Sequence, residues 1–176
     1  MTTKSLLIIL LLILPFSLIA EDGKELFAAA ASGKLERIQA LLAQGVDVNS
    51  KIEQDRTALM AASFNGNLRI VKTLLSYGAD VNLADKFGAT ALSDAILFGN
   101  PDIITVLIAA GANVNAADSQ NVKIVDKAKK LGRDNIVKLL EAAGGKATET
   151  KTEEKPADEQ QAPAEKPAEE KAADKP

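Results

Sequence analysis

The sequence contains no cysteine, no histidine and no tryptophan. Without cysteine there is no disulfide, and no thiolate for catalysis or metal binding. Without histidine the chain lacks the commonest metal ligand and the commonest general base near neutral pH, which excludes Ser-His-Asp and Cys-His machinery. Aromatic residues are scarce, with five Phe and one Tyr in 176 residues. A surplus of one charge is also missing. Residues 21–145 hold 14 Lys plus Arg against 15 Asp plus Glu, so there is none of the basic excess that marks a nucleic-acid binder. These absences point away from an enzyme, a metalloprotein and a nucleic-acid partner, and no cofactor is expected.

The two ends differ in composition from the middle. Residues 1–20 carry one charged side chain, Lys4, then an apolar run from Leu6 to Leu14, Pro15, and small or apolar residues up to Ala20. This order describes a secretory signal peptide, with cleavage expected near Ala20. The run is shorter than the ~20 apolar residues that a spanning helix needs. Leu18 stands where cleavage favours a small residue, which keeps a retained N-terminal anchor as the alternative. No Asn-x-Ser/Thr acceptor occurs, in keeping with bacterial export. At the other end, residues 146–176 hold no aromatic residue and no Val, Ile, Leu or Met, and their six Lys face nine Asp plus Glu. Such a segment has too little apolar surface to offset the entropy of ordering it, so a disordered Lys/Glu/Ala/Pro tail is expected.

The middle repeats itself without gaps. Gly33, Gly66, Gly99 and Gly132 are spaced by thirty-three residues, as are Gly45, Gly78, Gly111 and Gly144. The series Leu26, Leu59, Leu92, Val125 and Ala29, Ala62, Ala95, Ala128 keep the same step. A fixed period of this length is the mark of a stacked array. Each unit holds two apolar-periodic stretches around a Gly turn: Thr57 to Asn65 with Asn67 to Ser76, then Thr90 to Phe98 with Pro101 to Ala109. Thr57, Thr90 and Asn100 are N-cap residue types, and Pro101 and Asp102 suit a first turn. Asp22 with Glu25 reads as a capping box. Gly78 and Gly111 read as left-handed helix ends.

With T-A-L-x-x-A at Thr57 to Ala62 and Thr90 to Ala95, the unit resembles the ankyrin repeat and its T-P-L-H-x-A pattern. The endings from Leu74 to Asn82 and from Leu107 to Asn115 are similar to the family's L-L-x-x-G-A-x-x-N. The resemblance implies an all-α ankyrin-repeat solenoid over residues 21–145. Its four helix-turn-helix units would span about 22–51, 52–84, 85–117 and 118–145, joined by β-hairpin-like loops. Ala58 and Ala91 replace the family Pro, and Met60 and Ser93 replace the family His. Loss of that His implies weaker polar ties between units and more reliance on apolar packing. Lys123 replaces the Thr in the last unit, which suits a terminal unit facing water.

Three clusters invite a chemical reading. Asp80, Asn82 and Asp85 sit close together, but a calcium loop requires a bidentate Glu at its twelfth position, where Ala91 stands; Asp and Asn there read as turn formers. Gly88 and Asn121 hold equivalent places suited to left-handed backbone, and Asp55 holds it in the second unit. Gly144-Gly145-Lys146-Ala147 lacks the spacing and hydroxyl of a phosphate loop. Lys123, Lys127, Lys129, Lys130 and Arg133 form a basic group, of which Lys123, Lys127 and Lys130 share a helical face; the group is either the polar exterior of a cap or a contact for an acidic partner or the chain's own tail.

The family resemblance implies that the ends of the first helices and the connector tips line a concave face. On that face stand Phe64, Phe87, Leu97, Phe98 and Leu131, rimmed by Glu53, Gln54, Arg56, Asn65, Lys86 and Lys130. They are either a protein-recognition patch or rings tucked against the next unit. The expectation is a non-enzymatic, monomeric module of the bacterial envelope, in the periplasm, binding a protein partner. The resemblance suggests a protective or chaperone-like role, for example towards a catalase. The alternatives are an inhibitor or immunity protein acting on a toxin or hydrolase, and a structural tether to an envelope layer.

Overall fold

The computed structural model describes residues 22–148. The expected leader at 1–20 and the expected tail beyond Thr148 lie outside the described residues. Helix α1 covers residues 22–31, followed by α2 (Leu35–Ala43), α3 (Ala58–Phe64), α4 (Leu68–Ser76), α5 (Ala91–Phe98), α6 (Pro101–Ala109), α7 (Ile124–Lys130) and α8 (Asp134–Ala142). These are four helix pairs at the repeat spacing. Both glycine series adopt positive φ throughout, so every inter-helix turn and every second-helix end is built alike.

The first helix of each pair packs on the first helix of the next, α3 on α5 and α5 on α7, while α2, α4 and α6 form the second layer. The first helices are enclosed almost all round. Six consecutive residues are buried in α3 (Ala58 to Ser63) and six in α5 (Ala91 to Ile96). Small side chains at Ala58, Ala61, Ala62, Ala91 and Ala95 let these helices approach closely. The second helices bury one stripe each: Ile38, Leu41 and Leu42 in α2, Ile70, Val71 and Leu74 in α4, Ile103, Ile104 and Leu107 in α6, and Ile136, Val137 and Leu140 in α8. That stripe follows the helical period, with the other face left to solvent. One continuous core results.

Helix starts follow the side chains. The Thr57 hydroxyl accepts from the Met60 amide, and Thr90 and Ser93 form a reciprocal capping box. Asn100 Oδ1 accepts from the amides of Asp102 and Ile103 ahead of Pro101 at the first helical turn. The expected Asp22–Glu25 box is not formed: Asp22 is already helical, and Glu25 is drawn instead to Arg37, whose Nη2 lies 2.6 Å away.

The expectation of weak polar ties between units is corrected by a ladder of asparagines. Asn49 Oδ1 accepts from the Asp80 amide at 2.8 Å, while its amide nitrogen donates to Gly78 O at 3.4 Å. Asn82 repeats this with Asn113 N and Gly111 O, and Asn115 with Lys146 N and Gly144 O. Each amide side chain bonds the following unit through both its oxygen and its nitrogen, so polar ties between units persist without the histidines. The connectors hold only isolated antiparallel bridges, Ala84 with Thr90 and Ala117 with Lys123. The first connector carries instead a 3-10 turn at Glu53–Asp55.

Candidate functional site

The Asp80-Asn82-Asp85 cluster is committed to backbone. Asp80 Oδ1 accepts from the Asn82 amide at 2.8 Å, and Asp85 Oδ1 from the amides of Phe87 and Ala89 at 2.8 and 2.9 Å. With Asn82 spent on the ladder, the stretch shapes a turn and locks it to its neighbours. Among the described residues no group of three or more acidic side chains could hold a metal ion. No helix there is long and apolar enough to cross a membrane.

The connector tips line up beside the first helices. Lys86 N donates to Gln54 O at 3.0 Å and Ser119 N to Phe87 O at 2.9 Å, so backbone bonds join the three tips. Glu53, Gln54, Lys86 and Phe87 are exposed on them. Gln54 and Asp55 are both left-handed, at φ 61° and 62°, and Asn121 at 60°. The equivalence of Asp55, Gly88 and Asn121 therefore holds in the backbone, while left-handed Gln54 is an addition that the sequence did not announce.

At the far end of the first helices stand Phe64, Leu97, Phe98 and Leu131. Together with Phe87 they are between 43 and 56 % exposed. None is a core residue. Phe64 and Asn65 end α3, Leu97 and Phe98 end α5, and Lys130 and Leu131 end α7, so they form one row along three neighbouring helices. The row is anchored by close approach at the turns: a Cβ at Gly66 would lie 2.4 Å from the Phe98 ring, and one at Gly99 would lie 2.0 Å from Arg133 Nη1. Positive φ favours glycine at both places, while the Phe98 ring and the Arg133 guanidinium, as ends of flexible side chains, can swing aside. Tyr77 is also half exposed, but it follows α4 in the second layer, apart from the row.

Arg56 departs from the rim it was expected to join. Its guanidinium reaches Asp85 Oδ2 at 3.4 Å and Asp94 Oδ2 at 3.0 Å, with only 23 % of the side chain exposed. It is spent tying the second unit to the third. The Asp94 contact is charge proximity rather than an aligned hydrogen bond, since Oδ2 has no hydrogen-bond partner. Burial pushes the Asp94 carboxyl up to about 6, with Asp85 adding to the rise and Arg56 and Lys127 opposing it. In the fourth unit the pairing is local. Lys127 Nζ lies 3.3 Å from Asp118, whose pKa is lowered chiefly by the Val122 amide and also by Lys127.

The lysines of α7 are mostly occupied. Lys123 Nζ donates to Ala147 O, Lys127 meets Asp118, and Lys129 lies 3.4 Å from Glu141. Lys130 alone is exposed without an ion-pair partner among the described residues. Asp126 accepts from the Thr148 amide and hydroxyl, which lowers its pKa.

Sequence reasoning missed Asp94 and named Arg133 only as part of the basic group around α7. Asp94 is the one acid in its column, with Ala28, Ala61 and Lys127, so a column-by-column search for a lone acid would have found it. Arg133 shares its column with Lys34, Asn67 and Asn100, so charge there gives no such signal.

No curated protein matches this chain. A scan of protein families matches residues 26–118 to ankyrin repeats in three copies; the α7–α8 pair, which carries Lys123 in place of the capping Thr, lies beyond that match. With the tandem helix pairs, the hairpin-like connectors and a family match over more than half its length, the chain belongs to the ankyrin-repeat family.

Proposed function

We propose that this protein is a non-enzymatic binding module of the bacterial cell envelope that holds a protein partner on the face formed by the first-helix ends and connector tips. Ankyrin repeats are generally protein–protein interaction modules. Stacking provides the core and leaves tips and helix ends free to vary. The observation that carries the assignment is the row of Phe64, Leu97, Phe98 and Leu131 with Phe87, large apolar side chains left about half exposed. Completing the burial of each contributes ~1 kcal/mol, being about half of the 1.5–3 kcal/mol of a fully buried side chain. Envelope residence rests on the leader-like segment at residues 1–20. A protective or chaperone-like role towards the partner, an exported enzyme such as a catalase, completes the reading.

The test is crosslinking in intact cells, comparing the natural chain with a Phe64→Ala/Phe98→Ala double variant. The expected result is loss of the partner crosslink with helical circular dichroism retained, because neither ring is in the core. A crosslink that persists in the folded variant rejects the face. Fractionation of the same cells tests residence, and a wholly cytosolic chain with its leader intact rejects the envelope assignment.

A further inference from the structure

The end of the apolar row holds a cation with no counter-charge among the described residues. Arg133 precedes α8 and lies flat on the preceding unit's turn, its guanidinium carbon where a Gly99 Cβ would come within 2.4 Å. Its Nη2 donates to Leu97 O at 3.1 Å. Its Nε is buried and has no partner, and no carboxylate among the described residues pairs with it. A guanidinium offers five N–H donors in a rigid fork. Among the described residues a single neutral carbonyl, Leu97 O, is its only acceptor, and the fork lies against the Gly99 turn that directly follows Leu97 and Phe98. Lys130, likewise without an ion-pair partner, ends the neighbouring helix next to Leu131. Asp134, next to Arg133 in sequence, and Asp102, three residues past Gly99, occupy the first turns of α8 and α6, where the positive helix ends already oppose their charge.

We infer that this face takes a partner segment in which a bulky apolar side chain stands next to a carboxylate, the apolar group resting on Phe64, Leu97, Phe98 and Leu131 and the carboxylate on Arg133 and Lys130. The inference rests on the proposed function, which places a protein partner on this face, and adds the chemistry of what is held there. Charge-assisted bidentate bonding to a carboxylate is what an uncompensated, pre-positioned guanidinium supplies best. The chain's own residues 149–176 do not fit. They contain carboxylates but no Val, Ile, Leu, Met or aromatic residue to cover the row.

The test uses the full chain and an array of short peptides, each with a Phe or Leu flanked by Glu, Gln or Lys. The Glu peptides are expected to bind at least about tenfold tighter than their Lys counterparts, with the preference shrinking as salt rises. Arg133→Gln removes most of that preference and leaves Gln-peptide binding intact. Phe98→Ala weakens all three sets. Lys130→Gln, on an exposed side chain, halves the preference or more and keeps the test valid should Arg133→Gln disturb the turn.

Equal binding of Glu and Lys peptides, or a preference unchanged in both charge variants, overturns the inference and leaves the binding face standing. Peptide binding indifferent to Phe98→Ala removes the face itself, and failure of every peptide to bind overturns the inference. Two other occupants are read out alongside. A dimer in sedimentation equilibrium that dissociates in Phe98→Ala puts a second copy on the face. Glu-peptide binding that emerges only when residues 149–176 are removed puts the tail there. Either result overturns the proposal.

Discussion

Asp94 shows how one residue sets a pH dependence against its own ion pair. Arg56 lies 3.0 Å away, yet burial outweighs that attraction and the carboxyl titrates near 6. Because the folded-state value lies above the unfolded one, the folded chain binds the proton more tightly. The contribution of this group to stability is therefore greatest below the ordinary carboxylate range and is lost as pH rises to about 6. Asp94→Asn, which keeps the shape and removes the charge, is expected to flatten the stability profile between those limits. It is also expected to leave the protein as stable as or more stable than the natural chain above them. The size of the effect is on the order of 2 kcal/mol, measured by urea unfolding across the window. Arg56→Met should do the reverse. It strands Asp85 and Asp94 together and costs on the order of 3 kcal/mol, more at neutral than at acidic pH. An Asp94→Asn profile that still falls as steeply towards pH 6 would show that the slope arises elsewhere. None of this is legible in the sequence, where Arg56 reads as one more exposed connector cation, because only the stacked geometry brings a residue of one unit onto two of the next.

The connector is the element on which the neighbouring units depend most. Gly88 is left-handed at φ +74°, and a Cβ there would meet Ser119 N at 2.8 Å and Asp118 Cα at 3.0 Å, both backbone atoms that cannot swing away. Gly88→Ala therefore combines strain with a clash between the third and fourth tips, and is expected to cost about 2 kcal/mol. Hydrogen exchange should localise the damage, with the α7 and α8 amides losing protection before those of α3 and α4. Uniform loss would mean that the tip contact is not what holds the fourth unit. Asn82→Ala removes two exposed bonds to the following unit and should cost less, about 1 kcal/mol. The helices themselves were readable from sequence to within a residue or so, because caps at Thr57, Thr90 and Asn100 and the glycine period are local signals. The row of Phe64, Leu97, Phe98 and Leu131 was half legible: position in the repeat named the residues, but only the fold shows that they are exposed rather than core. The asparagine ladder escaped notice because an amide in a turn looks the same whether it bonds its own backbone or reaches the next unit.

At the scale of the whole molecule, an array is only as sound as its ends, since a terminal unit has one neighbour instead of two. The C-terminal end is closed by the short segment after α8. Gly145 N returns to Leu140 O at 2.8 Å, and Lys146 N donates to the last rung of the ladder at Asn115 Oδ1. Ala147 packs against the core and accepts from Lys123, and Thr148 is held by Asp126. The contacts of the folded array thus reach at least to Thr148, past Gly145, where the onset of Lys/Glu/Ala/Pro composition suggested its end. Two truncations separate these positions. Ending the chain after Thr148 should leave the thermal midpoint unchanged, since every contact of the closing segment remains. Ending it after Gly145 removes the Lys146, Ala147 and Thr148 contacts together, and should lower the midpoint and expose α7 and α8 to exchange first. It should also abolish the contribution of Asp126, which is present above the ordinary carboxylate range. The Thr148 bonds that depress its pKa add stability above the ordinary carboxylate range, and that stability is lost as pH falls through the depressed value. Identical melting of the two truncated forms would reassign the closing segment to the tail and place the end of the folded array at α8 itself.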